Sequence, residues 1–193
     1  MGYQEGFYET EAVDVKVSEV LVATPDGSDY LIDPAVPEVL KALRTSLHMD
    51  VAFVAEFVDG HRVYRRVDAD DNAKVIHEGH GDPLERTYCK KVVEGLLPGM
   101  LQDAATHPVA AALSAPFPIG AFLSAPIVLN DGSVYGTMCC FSFASNENLT
   151  ERDLHRLETA SKLIGRRIDE FRKHETDRAI QDWKLEPIEV LHH

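Results

Sequence analysis

The chemistry open to this chain starts with its three cysteines, Cys89, Cys139 and Cys140. Cys89 is flanked by Arg86, Lys90 and Lys91, and nearby cations lower a thiol pKa and make the sulfur a redox-responsive nucleophile. Set against that, a free thiol is among the most buried of side chains and usually packs inertly. Cys139 and Cys140 are adjacent in a strand-like run, where successive side chains point to opposite faces, so they are expected to stay reduced and not to act as a catalytic pair. His77 and His80 have an H-x-x-H spacing in a Gly-containing polar stretch, but no further ligands complete a tetrahedral site, and no metal is expected. Arg62, Arg65 and Arg66 could hold an anion, although arginines on an exposed edge strand are the commoner case. No Ser-His-Asp order, nucleophile elbow or phosphate-cradling glycine loop is present, so catalysis has little support in the sequence.

Several elements must position these residues. Asp33 and Pro34, followed by Val36, Val39, Leu40, Leu43 and Leu47 at helical spacing, predict a helix from about Pro34 to His48. Val51 to Val58 and the run HRVYRRVD are joined by Asp59-Gly60, a strong hairpin signal. Pro83 suggests a helix through PLERTYCKKVVEG, with Leu84, Tyr88, Val92 and Val93 inward and Cys89 in mid-helix, stopped by Gly95. A Pro- and Ala-rich connector from Leu97 to Pro118 has room for one short helix, near Thr106 to Leu113. A second hairpin pairs Ile119 to Leu129 with Val134 to Phe143 across Asn130-Asp131-Gly132. Thr150 and Asp153 then read as a capping box for a helix that runs past Phe171. The first thirty or so residues are hard to read, with Val13, Val15 and Val17 alternating as in a half-buried strand.

This order predicts an α+β fold: an antiparallel sheet built from hairpins, with helices mainly on one face. On the strand from Ile119, one parity (Ile119, Ala121, Leu123, Ala125, Ile127) is wholly apolar with two small residues, and it is assigned to the helix face. The 193 residues are 45% hydrophobic and 26% charged, as in a globular protein with a real core. Lys and Arg number 19 against 32 Asp and Glu, a net charge of -13 that disfavours nucleic acid and anionic lipid as partners. No apolar run reaches the roughly 20 residues of a membrane span, and the sparse, odd cysteine set is not a secreted disulfide framework, so a cytoplasmic location without membrane contact is expected.

Three stretches together resemble the GAF domain, in particular the bacterial sensor type found beside diguanylate cyclase, cyclic-di-GMP phosphodiesterase and histidine kinase modules. They are TYCKKVVEGLLPGMLQDA (Thr87 to Ala105), IGAFLSAPI (Ile119 to Ile127) and DGSVYGTMCCFSF (Asp131 to Phe143), the last followed by the helix at LTERDLHRLETAS. The resemblance covers about Pro34 to Asp169 and departs from its pattern at Gln102-Asp103, where Pro-Asp is expected. It implies one domain over residues 34–172, between an N-terminal arm (1–33) and a charged helical extension or tail (173–193). It also implies a six-stranded antiparallel sheet with the terminal helices on one face and a loop-covered pocket on the other. By the same similarity Phe122, Ser124, Thr137, Cys139 and Phe141 face the pocket, with Tyr88 beside it. The alternative is that these residues line a filled, ligand-free core.

The resemblance further implies a non-enzymatic sensor that binds an unidentified small molecule and signals through its terminal helices. Two other readings stay open: a GAF-fold free methionine sulfoxide reductase, and a module that binds nothing and only dimerises. Val109 to Leu113 reads VAAAL where similar bilin-binding segments carry a functional His or Cys-His, and the N-K…F-x-x-x-D-E pattern of cyclic-nucleotide sites is missing. No output module is readable, so the chain either acts in trans or is the sensory part of a longer one. Leu157, Ile164, Ile168 and Phe171 are spaced like a coiled-coil seam. With Val36, Leu40, Leu43 and Leu47 they predict a parallel homodimer joined through the terminal helices, leaving Ile168 and Phe171 exposed in a monomer.

Overall fold

A computed structural model of the chain describes residues 35–185, and the alternating valines near the N-terminus lie outside them. Helix α1 (Ala35–Ser46) forms where the apolar residues recur at helical spacing, and it buries Val36, Val39, Leu40 and Leu43. Strands β1 (Val51–Val58) and β2 (His61–Ala69) follow as an antiparallel hairpin. Asp59 and Gly60 both take positive φ there, the conformation that a two-residue turn matching strand twist requires. A register shift between Val54 and Ala55 interrupts the pairing, so that Arg66 opposes Val54 while Tyr64 opposes Ala55.

The stretch after Pro83 differs from the helix that the sequence suggests. Gly81–Pro83 is a short edge strand, β3, paired with His61–Val63 of β2, and Pro is tolerated at such an edge. A single helical turn (Leu84–Arg86) follows, Thr87 is extended, and only then does α2 (Tyr88–Val93) begin. The Thr87 side chain accepts a hydrogen bond from the Lys90 backbone N–H, which caps the helix. Cys89 therefore sits in the first turn of α2, not in mid-helix.

The connector holds strand β4 (Met100–Leu101) and helix α3 (Pro108–Ala111). Gln102, at the departure noted above, donates through Nε2 to the carbonyls of Glu147 and Leu149 at 3.0 and 2.7 Å, tying the connector to the start of the last helix. Strands β5 (Ala121–Val128) and β6 (Val134–Ser142) form the second hairpin. Helix α4 (Glu151–Leu185) closes the fold. At its start the Asp153 carboxylate accepts from the Thr150 backbone N–H and hydroxyl at 2.9 and 2.8 Å. The sheet is six-stranded and antiparallel, in the order β3-β2-β1-β6-β5-β4.

Two cores lie on its two faces. Against α1 and α4 pack Ala52, Val54, Leu123, Ala125, Ile127, Met138 and Cys140, as the parity of β5 predicts. Gly165 lets α4 lie close to β5, since a Cβ there would stand 2.8 Å from the Val128 carbonyl oxygen, and Ser161 donates to the Pro126 carbonyl at 2.6 Å. Ile119 is the exception to the parity: just ahead of β5, it packs on the opposite face.

The proposed seam also needs correcting. Ile168 is completely buried beside Leu157 and Ile164 in this helix-face core, which also takes up Val36, Leu40, Leu43 and Leu47. One chain satisfies these residues by itself, because α4 stays on the sheet further than the heptad-like spacing suggests. Ile168→Ala is accordingly expected to cost the monomer about 2–5 kcal/mol. Urea unfolding would show this as a lowered midpoint that does not depend on protein concentration. Among the described residues, no helix is long and apolar enough to cross a membrane.

Candidate functional site

The face of the sheet away from α1 and α4 presents Phe53 from β1, Tyr64 from β2, Phe122 from β5 and Cys139 and Phe141 from β6. Helix α2 lays Tyr88 and Cys89 on this layer, and the Tyr88 hydroxyl donates to the Ala110 carbonyl of α3 at 3.0 Å. The 114–119 segment, which leads into β5, lies over the outside. Between them is a cavity of about 420 Å³, lined by Phe53, Tyr88, Phe117, Phe122 and Phe141 together with Arg62, Tyr64, Asp82, Arg86 and Thr87. Phe117 stacks on Phe141 with ring centroids 5.3 Å apart, and Tyr88 meets Phe122 at 5.2 Å. An aromatic lining with a few convergent polar groups is the usual make-up of a small-molecule site.

Of the six residues placed at the pocket from the sequence, Tyr88, Phe122 and Phe141 line the cavity. Ser124, Thr137 and Cys139 lie on the same face but deeper, fully covered and outside the lining. There they form a small polar layer: Cys139 Sγ is 3.2 Å from Ser124 Oγ and 3.3 Å from Thr137 Oγ1. Cys139 Sγ is also 3.3 Å from Cys89 Sγ. Cys140 points to the other face, into the helix-side core, where burial pushes its thiol up to about 12.

The three arginines of β2 have separate fates. Arg65 pairs with Glu56, and Arg66 lies 3.6 Å from Glu78. Arg62 turns inward, its side chain only 11% exposed. Its guanidinium lies 4.7 Å from the centre of the Tyr64 ring and donates to Asp82, to the Tyr64 hydroxyl and, from Nη1 at 3.5 Å, to Cys89 Sγ. The remaining donor, Nε, is buried and has no hydrogen-bond partner among the described residues. Sequence reasoning missed Arg62 as a cavity residue because it treated β2 as an edge strand. In fact β3 covers that end of β2 and supplies Asp82 to hold the charge.

The electrostatics follow from this burial. Desolvation works against the Arg62 charge, yet the negative groups facing it hold the pKa above its ordinary value, so Arg62 stays cationic. Burial raises the Tyr64 hydroxyl despite the neighbouring guanidinium, and burial raises Tyr88 as well. Cys89 goes the other way. Burial opposes its ionisation, but hydrogen bonds from Cys139 and Thr137 and the charge of Arg62 outweigh that cost and hold its thiol below the usual value. Cys139 is raised by burial and by the sulfur beside it.

This geometry has known counterparts. The family model described as GAF domain matches residues 32–168. The chain belongs to the GAF domain family. Among solved structures, this GAF domain is similar to that of a phosphoenolpyruvate-protein phosphotransferase from Coxiella burnetii, with a TM-score of 0.69 and 17% identity over 90% of this chain and 99% of that one. A free methionine-R-sulfoxide reductase from Neisseria meningitidis, in complex with its substrate, has a TM-score of 0.63 and 17% identity over 90% and 96%. The GAF domain of an Acinetobacter phosphoenolpyruvate-protein phosphotransferase has a TM-score of 0.64 and 13% identity over 94% and 98%. At these identities the likeness concerns the fold. No match was found among curated proteins.

Proposed function

We propose that this GAF domain is a non-enzymatic sensor that binds a small ring-bearing molecule carrying a hydrogen-bond acceptor, such as a carboxylate. The observation that carries this reading is the largely buried Arg62 guanidinium, which stays cationic on a side chain that lines an aromatic cavity. A cation held in a largely apolar wall attracts an anionic ligand group more strongly than one in open water does. Arg86, exposed at the cavity, adds a second cation for an anionic group. The rings of Phe117, Phe141, Tyr88 and Phe122 suit a flat apolar body.

Transmission runs through the sheet. Residues of β5 alternate between the cavity (Phe122) and the helix-side core (Leu123, Ala125), so a ligand that shifts β5 bears directly on α4. In this reading α4 leads to a partner or output module of the diguanylate cyclase, phosphodiesterase or histidine kinase kind. A homodimer would then be seated on its distal part, where Ile180 and Trp183 are exposed, in place of the buried Ile168. The protein would work in the cytoplasm, where reduced thiols persist.

The test is mass spectrometry of small molecules released when the natively purified protein is denatured. A compound with a ring and a carboxylate or carbonyl is expected from the wild type and not from Ala115→Trp, which sets an indole at a residue lining the cavity. Release of the same compound from both would count against the reading. The closeness of Cys89 and Cys139 favours a second reading, a methionine sulfoxide reductase, although both sulfurs lie fully buried. Production of methionine from free methionine sulfoxide would replace the sensor reading with that one.

A further inference from the structure

The sulfurs of Cys89 and Cys139 stand 3.3 Å apart, in direct contact, against the roughly 2.05 Å of a disulfide. They come from elements far apart in the chain, the first turn of α2 and the middle of β6, so the sheet and the helix packed on it hold them together. Around them is a set of groups able to support sulfur chemistry. Arg62 Nη1 is 3.5 Å from Cys89, and Thr137 and Ser124 hydroxyls lie within 3.3 Å of Cys139. Arg62 and the two residues preceding Cys89, Thr87 and Tyr88, all line the cavity, while both sulfurs are fully buried behind that wall, so a small hydroperoxide reaches the pair only when the wall moves.

We infer that Cys89 and Cys139 form a reversible redox pair, in which Cys89 is the thiolate that attacks a hydroperoxide and Cys139 is the thiol that resolves it. In the first step the Cys89 sulfur forms a bond to the distal peroxide oxygen as the O–O bond breaks. Sulfur loses two electrons, and the departing alkoxide or hydroxide takes up a proton to leave as alcohol or water. In the second step the Cys139 sulfur attacks the Cys89 sulfenic acid. The S–S bond forms, the S–O bond breaks, and the hydroxyl leaves as water with the proton from Cys139. A small dithiol returns both sulfurs to thiols and is itself oxidised to a disulfide. The lowered pKa of Cys89 and the raised one of Cys139 suit this division of labour.

This assigns Cys139, which the sequence leads one to expect to stay reduced, a redox partner 50 residues away. The inference rests on the thiol geometry and not on the cavity reading. Where that reading also holds, oxidation removes a negative sulfur from beside Arg62 and ties the Tyr88 end of α2 to the sheet, so the state of the pair would tune the site.

The test uses the full chain with excess hydrogen peroxide, then alkylation under denaturing conditions, intact mass and non-reducing peptide mapping. An intact mass about 2 Da lower before alkylation, one alkyl group added afterwards where the reduced chain takes three, and a Cys89–Cys139 cross-link in the map are expected, all reversed by dithiothreitol. The same cross-link should form in Cys140→Ala, which separates Cys139 from its neighbour in the map. Arg62→Met is expected to slow the reaction roughly tenfold by removing the cation that stabilises the thiolate. Three results would overturn the inference: unreacted thiols in the wild type, oxygen added to Cys89 without a cross-link, or a cross-link through Cys140.

Discussion

Gly136→Ala is expected to destabilise the domain by about 3 kcal/mol or more, a fall of roughly 10 °C in Tm for a chain of this length. Gly136 lies in β6 opposite Glu56 of β1 and Ile127 of β5, and a Cβ there would stand 1.9 Å from the Ala55 carbonyl oxygen and 2.9 Å from its carbon. Those obstacles are backbone, so no side chain can swing away, and β1 would have to part from β6. The residue beside it, Thr137, faces the thiol layer, so the same displacement would loosen the floor of the cavity. Gly132 is the natural comparison. It has positive φ in an open turn, and Gly132→Ala should cost only about 1 kcal/mol. Thermal unfolding of the two variants beside the wild type would check both values, and equal losses would show that the β1–β6 contact is not the constraint.

Arg62→Met is expected to abolish the carboxylate binding proposed for the cavity. The side chain keeps an apolar stem against Phe53 and Tyr64, but every donor toward Asp82, Cys89 and a ligand is gone. A hydrogen bond to a charged group is worth about 1.5–3 kcal/mol, so affinity for an aromatic carboxylate such as benzoate should fall by roughly ten- to a hundredfold. Arg62→Lys should restore little, because one ammonium cannot serve four directions as the guanidinium fork does. Some loss of stability would accompany Arg62→Met, since Asp82 would lose its cationic partner and keep the Tyr64 hydroxyl at 2.9 Å, but Asp82 is more than a third exposed and water can take up much of that charge.

The two hairpins were legible because their signals are local. Asp59-Gly60 needs only its own φ angles, and the alternation on β5 states which residues face the helices. Strands β3 and β4 were not legible, since three and two residues carry no period and owe their conformation to the neighbours they pair with. That omission hid the role of Arg62, whose burial depends on β3. It also displaced Cys89, whose helix starts only after an edge strand and a turn. The meeting of Cys89 with Cys139 is purely tertiary and leaves no mark on spacing. Ile168 was misplaced for a different reason: an apolar residue every three, four or seven positions fits a dimer seam and a core stripe equally well, and only the length over which α4 follows the sheet decides between them.

The aromatic cavity lined by Arg62 is the proposed ligand site of this GAF domain. The most direct test is a map of backbone amide shifts in ¹H–¹⁵N spectra of the wild type and of Arg62→Met, each titrated with the same panel of small aromatic carboxylates. The account predicts that carboxylates which bind the wild type move the amides of Arg62, Thr87, Tyr88, Phe117 and Phe141, and that those shifts disappear in Arg62→Met. Shifts confined to the helix side of the sheet, around Leu43 and Leu157, or a panel that leaves the cavity amides unmoved, would contradict it.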